Sequence, residues 1–495
     1  MSTMIGHFVG GQALAEQQTG ERMSVVNPAD GSTLGEVRLD AIEAADQAVQ
    51  AAADAFESWA NTPVGERVQC LFRYKQILED RFEELAALIV REHGKTMAEA
   101  RGDVRRGIDC IEYACCAPVL MMGNTLPQIA VSSSFSRTED EGGVGIDSTS
   151  ERVPLGVCVG ITPFNFPIMV PMWMWPMAVA CGNTFVLKPS EKVPLSALRE
   201  IELTAEAGFP PGVVNVVTGG APVVNHLITH RDVRAVSFVG STKVARHIYA
   251  TACAAGKRAQ CMGGAKNYMV IMPDANREAV IDGVLGSAFG TTGQRCLAGS
   301  VAAPVGEAAD WFVPAIVEAA RKIKVARGDD PGAVMGPVID RASCERVKNY
   351  IQIGLEEGAE LVLDGRDFQV PQGGNFVGPS IFDHVSPHMR ICREEIFGPV
   401  LSIVRAASLD DAIASLNSTD YGNMGVIFTQ SGYAARKFKT QARAGMIGIN
   451  VGVPAPMAVF PFAGWKNSFF GDLHANGEDA LRFFTEHKIL VSRWL

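Results

Sequence analysis

The sequence predicts an α/β protein built from two domains with parallel-type sheets, and three observations carry that expectation. At 495 residues the chain exceeds what one hydrophobic core usually supports, so two or three domains are expected. From Gly156 onward short apolar runs alternate with helical stretches: Gly156 to Ile161, Thr184 to Leu187, a helix over Leu195 to Ala207, then Val213 to Val217 and Ala235 to Val239. This is the rhythm of a parallel βαβ sheet. A second series begins at Tyr268 to Met272 and runs through helices at Arg277 to Phe289, Ala309 to Ile323 and Ser343 to Glu357.

Ahead of these series, alanine-rich helical spacing covers Asp40 to Phe56. One amphipathic helix is expected from about Gly65 to Arg91, with Leu71, Ile77, Leu78, Leu85 and Leu88 as its apolar positions. The run Val153 to Leu187 has no Asp, Glu, Lys, Arg or His and is longer than the roughly 20 apolar residues that span a bilayer. Pro154, Pro163, Pro167, Pro171 and Pro176 would break a membrane helix repeatedly, so the run is read as a buried strand, a turn and a short proline-started helix.

Composition narrows the partners. With 47% hydrophobic and 20% charged residues the chain reads as an ordinary soluble globular enzyme. A net charge of −10 argues against nucleic acid or an anionic membrane, since either demands a basic face. Eleven cysteines, an odd number with no CxxC pair, fit a reducing compartment better than a disulfide framework. Met1 to Gln12 lacks a basic region followed by an apolar one, so no secretory signal is read there and a cytoplasmic location is expected.

Chemistry concentrates in a few strings. Gly293-Gln294-Arg295-Cys296 sets a cysteine beside a permanent positive charge in a loop that follows a helix. A neighbouring cation lowers a thiol pKa and raises the thiolate fraction that attacks carbonyl carbon. Taken alone, such a cysteine is as well explained as a small buried hydrophobe. Asn165, in Ile161-Thr162-Pro163-Phe164-Asn165-Phe166-Pro167, is an amide in an apolar run and needs hydrogen-bond partners there. Lys188 and Glu191 flank a proline turn at a strand end, where open α/β sheets place ligands. Gly240-Ser241 closes a strand and opens the helix Lys243 to Ala255, offering close backbone approach and a free helix N-terminus to a pyrophosphate. His226 and His230 are four apart, as on one helix face, but no third ligand is near in sequence, so no metal is expected.

Together with Leu187-Lys188-Pro189-Ser190-Glu191 and Glu394-Glu395-Ile396-Phe397-Gly398-Pro399, these strings resemble the aldehyde dehydrogenase superfamily from Asn27-Pro28 to Phe484-Thr485-Glu486. The resemblance implies an aldehyde dehydrogenase-like α/β fold with a small β oligomerisation arm. The implied layout is an NAD-binding domain over 1–128 and 150–265, a catalytic domain over 266–455 carrying the nucleophile, and an arm and tail over 129–149 and 475–495. Val131 to Ser150, rich in Ser and Gly, supplies the arm's hairpin, and a homotetramer built as a dimer of dimers follows. The resemblance assigns Cys296 as nucleophile and Asn165 as donor to the tetrahedral oxyanion, a contact worth about 3 kcal/mol to the transition state. It assigns Thr162, Phe164, Lys188, Glu191, Lys192, Gly240, Ser241, Gly263, Glu395 and Phe397 to the cofactor. A carboxylate at Glu191 suits a free ribose diol and repels a 2′-phosphate, which points to NAD over NADP.

One departure changes the implied reaction. Hydrolytic members carry a glutamate four residues before the Lys of a Gly-Lys-Asn string to activate water; here that place is Met262, and no acidic residue occurs from Thr251 to Pro273. Losing a positioned base costs roughly a factor of 100 or more, so the thiol of coenzyme A is the expected acyl acceptor and co-substrate. Gly264-Ala265-Lys266-Asn267 and Gly464-Trp465-Lys466-Asn467-Ser468 resemble the methylmalonate-semialdehyde dehydrogenase branch in particular. That branch oxidises and decarboxylates a carboxylated semialdehyde to an acyl-CoA. A carboxylate beside the aldehyde calls for arginine; Arg295 adjoins the nucleophile, Arg106 matches the other arginine of the family, and Arg105 is read as a surface charge. The alternative is a hydrolytic enzyme releasing a free acid, with Glu478 as the stand-in base.

Overall fold

The computed structural model describes residues 3–16, 19–130 and 146–493. Its larger sheet has eight strands in the spatial order Gln12–Leu14, His7–Val9, Val214–Val216, Thr184–Lys188, Val157–Ile161, Val233–Val239, Arg258–Met262 and Phe469–Phe470. The five strands from Val214–Val216 to Arg258–Met262 are parallel, and the edges are closed by antiparallel partners. Val157–Ile161 and Thr184–Lys188 are buried at every position because helices cover both faces. Val157, Val159 and Ile161 face the helix Ile42–Asn61, while Cys158 faces the packing around Trp175 and Met177. A doubly covered strand needs no alternation, which is why the apolar run reads as continuous.

The second sheet has seven strands in the order Glu360–Leu363, Ser380–Asp383, Val400–Ile403, Gly299–Pro304, Asn267–Ile271, Met424–Phe428 and Met446–Ile449. Only the outermost strand, Glu360–Leu363, pairs antiparallel. Residues 263–266 alone join Met262, at the carboxyl end of a strand in the first sheet, to Asn267, at the amino end of a strand in the second. That short connector brings the carboxyl edge of one sheet against the amino edge of the other, and the cleft described below lies along this seam.

The structure differs from two local expectations. The helix expected over Gly65 to Arg91 is two helices, Val64–Asp80 and Phe82–His93, that break at Arg81 (φ −102°, ψ 12°). Leu71, Leu78 and Leu85 are all fully buried at a spacing of seven, so the apolar period runs straight across the bend and hides it. The tail is only partly an arm: Gly477–Phe483 is a helix packed on the first sheet's side, and Thr485–Arg493 alone joins Ile146–Pro154 and Asn124–Ala130 in an antiparallel three-stranded sheet. The rest of the expected hairpin, residues 131–145, lies outside the described residues. Among the described residues no helix is long and apolar enough to cross a membrane, and all eleven cysteines are free.

Asn183 ties the tail helix to the sheet. Its Oδ1 accepts from the backbone of Leu155 (2.7 Å) and Gly156 (3.1 Å), and its Nδ2 donates to the carbonyls of Ala178 (2.9 Å) and Phe484 (2.8 Å), all fully or largely buried. Asn183→Ala strands these groups and is expected to lower stability by about 3 kcal/mol, read as a lower urea midpoint; an unchanged midpoint would mean that water replaces the carboxamide.

Candidate active site

Two cavities meet at Cys296. A long cleft of about 1030 Å³ follows the seam between the sheets, and a smaller chamber of about 280 Å³ opens on its far side. Thr162, Phe164, Asn165, Lys188, Glu191, Lys192, Gly240, Ser241, Gly263, Glu395 and Phe397 line the cleft with Cys296. Arg106 and Arg295 line the chamber, again with Cys296. Every residue that the resemblance assigns to the cofactor, the substrate carboxylate, the nucleophile or the oxyanion thus borders one of these two spaces.

The cysteine is carried by an improbable loop. After the helix Arg277–Phe289, Thr291 (φ 49°), Thr292 (φ 54°) and Gly293 (φ 68°) are all left-handed. Such conformations cost of order 1–3 kcal/mol for each non-glycine residue and persist only where the surroundings dictate them. Gly293 is required, since a Cβ there would sit 2.3 Å from the Gly398 carbonyl oxygen. Thr292 Oγ1 donates to the Gly336 carbonyl (3.0 Å), and Gln294 Oε1 accepts from the Ile339 backbone (3.1 Å). The carbonyl of Cys296 itself accepts from two carboxamides, Asn267 Nδ2 (2.9 Å) and Asn423 Nδ2 (2.8 Å). Sequence reasoning missed both asparagines: Asn267 stood in a string read only for its resemblance, and Asn423 carried no signal.

The electrostatics correct one expectation. Burial pushes the Cys296 thiol up to about 12, and the nearby Glu395 carboxylate adds to the rise; the backbone amides and Arg295 pull the other way with less effect. Arg295 pulls the thiol down by less than burial pushes it up, and its guanidinium is engaged elsewhere. Its Nε donates to Thr291 Oγ1 (3.0 Å), and its Nη2 lies 3.3 Å from Glu99 Oε1. Gly290 makes room for it, because a Cβ there would be 1.8 Å from Arg295 Nη2. Glu99, also unforeseen, caps the helix Met97–Ala114 and accepts from the Thr291 backbone, so it binds the arginine and the loop at once.

Asn165 follows the central strand and is buried; its Nδ2 donates to the Gln294 carbonyl (3.1 Å), two residues before the nucleophile. One N–H of the amide is spent on that bond and the other is available to an oxygen at Cys296. The loop is locked from below. Asp103 accepts from the Met169 backbone (2.8 Å) and pairs with fully buried Lys95 (2.7 Å), whose ammonium lies 3.7 Å from the Phe166 ring centroid.

On the cofactor side, Lys188 Nζ lies 3.0 Å from Glu191 Oε2. Burial opposes ionisation of Glu191, but Lys188 and then Lys192 outweigh it and hold the carboxyl below its usual range. Lys192 pairs with Asp340 (2.6 Å). Ser241 is the N-cap of the helix Thr242–Ala254 yet its side chain makes no capping bond, which leaves the first amides free for an anion. The hydroxyl of Thr162 is buried without a partner in the same cleft. Glu395 accepts from the Ala265 backbone (2.8 Å) and burial raises its carboxyl to about 6. A Cβ on Gly264 would be 2.4 Å from Glu395 Oε2, so the glycine admits the carboxylate. Phe397, left-handed at φ 55°, meets Phe164 edge-on at 5.8 Å. An orphaned hydroxyl, an uncapped helix and a carboxylate held ionised fit a dinucleotide with a free ribose diol.

In the chamber, Arg105 and Arg106 diverge. Arg105 makes a two-pronged surface pair with Glu79 (2.8 and 2.7 Å). Arg106 lines the chamber and has no ion-pair partner among the described residues. Met262, where the hydrolytic base would stand, is buried at a strand end and borders neither cavity. Glu478, the stand-in for that base, is exposed, pairs with Arg482 (2.8 Å) and borders neither cavity.

Comparison with known proteins agrees with this geometry. The aldehyde dehydrogenase family matches residues 14–490. The chain is 50% identical to malonate-semialdehyde dehydrogenase 2 of Geobacillus kaustophilus over 99% of its length and 98% of the relative. It is 48% identical to malonate-semialdehyde dehydrogenase of Halalkalibacterium halodurans with the same coverage. The crystal structure of methylmalonate-semialdehyde dehydrogenase from Oceanimonas doudoroffii superposes with a TM-score of 0.95 at 46% identity, covering 100% of this chain and 99% of that one. A Sinorhizobium meliloti chain solved with NAD gives the same TM-score at 42% identity, again over 100% and 99% of the two chains. The chain therefore belongs to the aldehyde dehydrogenase family.

Proposed function

We propose that the chain oxidises and decarboxylates malonate or methylmalonate semialdehyde with NAD, yielding acetyl-CoA or propionyl-CoA, carbon dioxide and NADH. The observation that carries this reading is Arg106, a guanidinium with no carboxylate at ion-pair distance among the described residues, in a small chamber that ends at Cys296; Asp109 lines the same chamber and feels its charge without contacting it. A cation whose fork is not already bound there selects a substrate that brings its own carboxylate, and the fork of arginine binds one bidentately. Arg295, already bound to Glu99, adds field more than contact.

Cys296 thiolate adds to the aldehyde carbon, and the free N–H of Asn165 meets the oxygen that becomes negative. Lys188, Glu191, Glu395 and the amides after Ser241 would hold NAD, whose oxidised ring would supply a positive charge beside the sulfur and then the acceptor for the hydride. The product on the protein is a thioester of Cys296 whose carbonyl takes up the electron pair released when the β-carboxylate leaves as carbon dioxide; the resulting enolate takes a proton from water at its α-carbon, which gives the acetyl or propionyl thioester. The thiolate of CoA then displaces Cys296. Glu99 is engaged by Arg295, Asp103 by Lys95 and Glu395 by the Ala265 amide, so these carboxylates around the sulfur are held in structural contacts. CoA-dependent release fits this arrangement better than hydrolysis.

The same reading assigns the cofactor residues of the cleft to NAD and the three-stranded sheet to oligomerisation. Leu126, Ile489, Leu490 and Val491 on that sheet are more than half exposed, an apolar surface that a monomer rarely leaves open. A homotetramer built as a dimer of dimers follows, with an NAD-binding unit over 1–128 and 150–265 and a catalytic unit over 266–455.

With either semialdehyde, NADH formation should require CoA, and mass spectrometry should find the acyl-CoA; steady release of free acid without CoA would overturn the proposal. Arg106→Gln should raise the KM for the carboxylated semialdehydes about 100-fold, from loss of a charge pair, and leave turnover of propionaldehyde nearly unchanged. Because the thiol sits near 12 in the cofactor-free protein, its thiolate fraction should grow about tenfold per pH unit below that value. Alkylation of Cys296 by iodoacetamide should follow this slope from neutral to alkaline pH and accelerate with NAD; a plateau at neutral pH would contradict the assigned environment.

A further inference from the structure

His226 lies in the last turn of the helix Ala221–Thr229, and His230 is the residue that ends it. No third ligand is near them in sequence, but the fold supplies one. Asp46, on the helix Ile42–Asn61 that packs against this one, places Oδ1 2.6 Å from His226 Nε2 and 3.4 Å from His230 Nε2. The two imidazoles stand edge to face at 5.5 Å, and the three donor atoms lie within 4.8 Å of one another. We propose that Asp46, His226 and His230 form a binding site for a divalent transition-metal ion of the zinc class, which fastens the helix Ile42–Asn61 to the helix Ala221–Thr229.

Two imidazoles and one carboxylate are a donor set that zinc, cobalt and nickel favour, with a fourth position left to water. Ligands about 2.0 Å from a tetrahedral ion stand roughly 3.3 Å apart. The Asp46–His230 separation already meets that spacing. The Asp46–His226 contact must open by about 0.7 Å to reach it, a small rotation for a side chain as exposed as Asp46 (53%). His230 is the more fixed ligand. Lys257 Nζ donates to its carbonyl and to that of Val233, so this ammonium is spent on backbone rather than aimed at the donor atoms. His230 Nδ1 accepts from the Asp232 backbone N–H (3.2 Å) and lies 3.9 Å from the Asp232 carboxylate. Metal binding at Nε2 moves the ring proton to Nδ1, so the backbone bond gives way and the Asp232 carboxylate becomes the acceptor, the usual support of a ligating histidine.

The site lies outside the catalytic cavities yet touches their wall. Ala221, Val224 and Asn225, on the same helix, line the cofactor cleft, so an ion at His226 and His230 would stiffen that wall without contacting Cys296.

The test uses full-length protein stripped with a chelator, dialysed and titrated with Co²⁺. Wild type and Cys296→Ser should both take up a single equivalent per chain, with visible d–d absorption, no thiolate charge-transfer band and a raised thermal midpoint. Asp46→Asn and His226→Gln should each weaken this binding at least tenfold while the metal-free midpoint stays the same. Two substitutions on different helices guard against a folding defect in either. No saturable uptake, uptake unaffected by both substitutions, or uptake that disappears in Cys296→Ser would each overturn the proposal.

Discussion

The Asn267 carboxamide joins three neighbouring strands at the point where the nucleophile is held. Its Nδ2 donates to the carbonyls of Cys296 (2.9 Å) and Ala298 (2.8 Å), and its Oδ1 accepts from the Met424 backbone (3.1 Å). The strands that begin at residues 267, 299 and 424 are adjacent in the second sheet, so one side chain sets the height of all three at the seam. The loop before Cys296 has three consecutive left-handed residues and no local preference that would hold it. Asn267, Asn423, Glu99 and the Gly336 carbonyl impose it from four directions. An apolar residue at 267 would leave the Cys296 carbonyl to Asn423 alone and remove the carboxamide partners of the Ala298 carbonyl and the Met424 N–H, at about 1–3 kcal/mol for each group left unpaired.

Charge is placed with equal economy around the sulfur. Three cations close to Asn165, Cys296 and Glu191 are paired: Lys95 by Asp103, Arg295 by Glu99 and Lys188 by Glu191. Each pair does positional work: the first anchors the Asn165 loop, the second the Cys296 loop, and the third the strand end at Lys188. Of the two arginines that line the chamber, Arg295 has an ion-pair partner among the described residues and Arg106 has none. An anion that enters the chamber therefore finds its open guanidinium at Arg106.

The sheets and the site differed in how far the sequence revealed them. Parallel strands buried on both faces leave long apolar runs, and helices between them leave a 3.6-residue period, so the order of elements was legible from Gly156 to Glu357. The break at Arg81 was not, because Leu78 and Leu85 keep their spacing across it. Residues that line the cleft were legible where they stood in strings, as with Cys296, Asn165, Lys188, Glu191 and Glu395. Asn423, Glu99 and Asp103 were not, because each acts on a backbone group far along the chain, and such a bond leaves no local pattern. The engagement of Arg295 was hidden for the same reason: adjacency to Cys296 is visible in sequence, whereas its contact with Glu99, 196 positions away, is not.

The high resting pKa of the thiol follows from the site's other demands. A pocket that strengthens the Asn165 contact and excludes water from a thioester must be poorly solvated, and poor solvation penalises a bare thiolate. Glu395 adds its charge to that penalty, yet its carboxylate occupies the place that Gly264 leaves open and cannot be dispensed with if it holds a ribose. The resting enzyme therefore keeps Cys296 largely as the thiol, which shields it from oxidants, since oxidation follows thiolate character. In the proposed reaction the positively charged nicotinamide ring, beside Glu395, would supply the activation. Nucleophile and hydride acceptor would then become competent together, and an aldehyde arriving before the cofactor would meet a thiol rather than a thiolate.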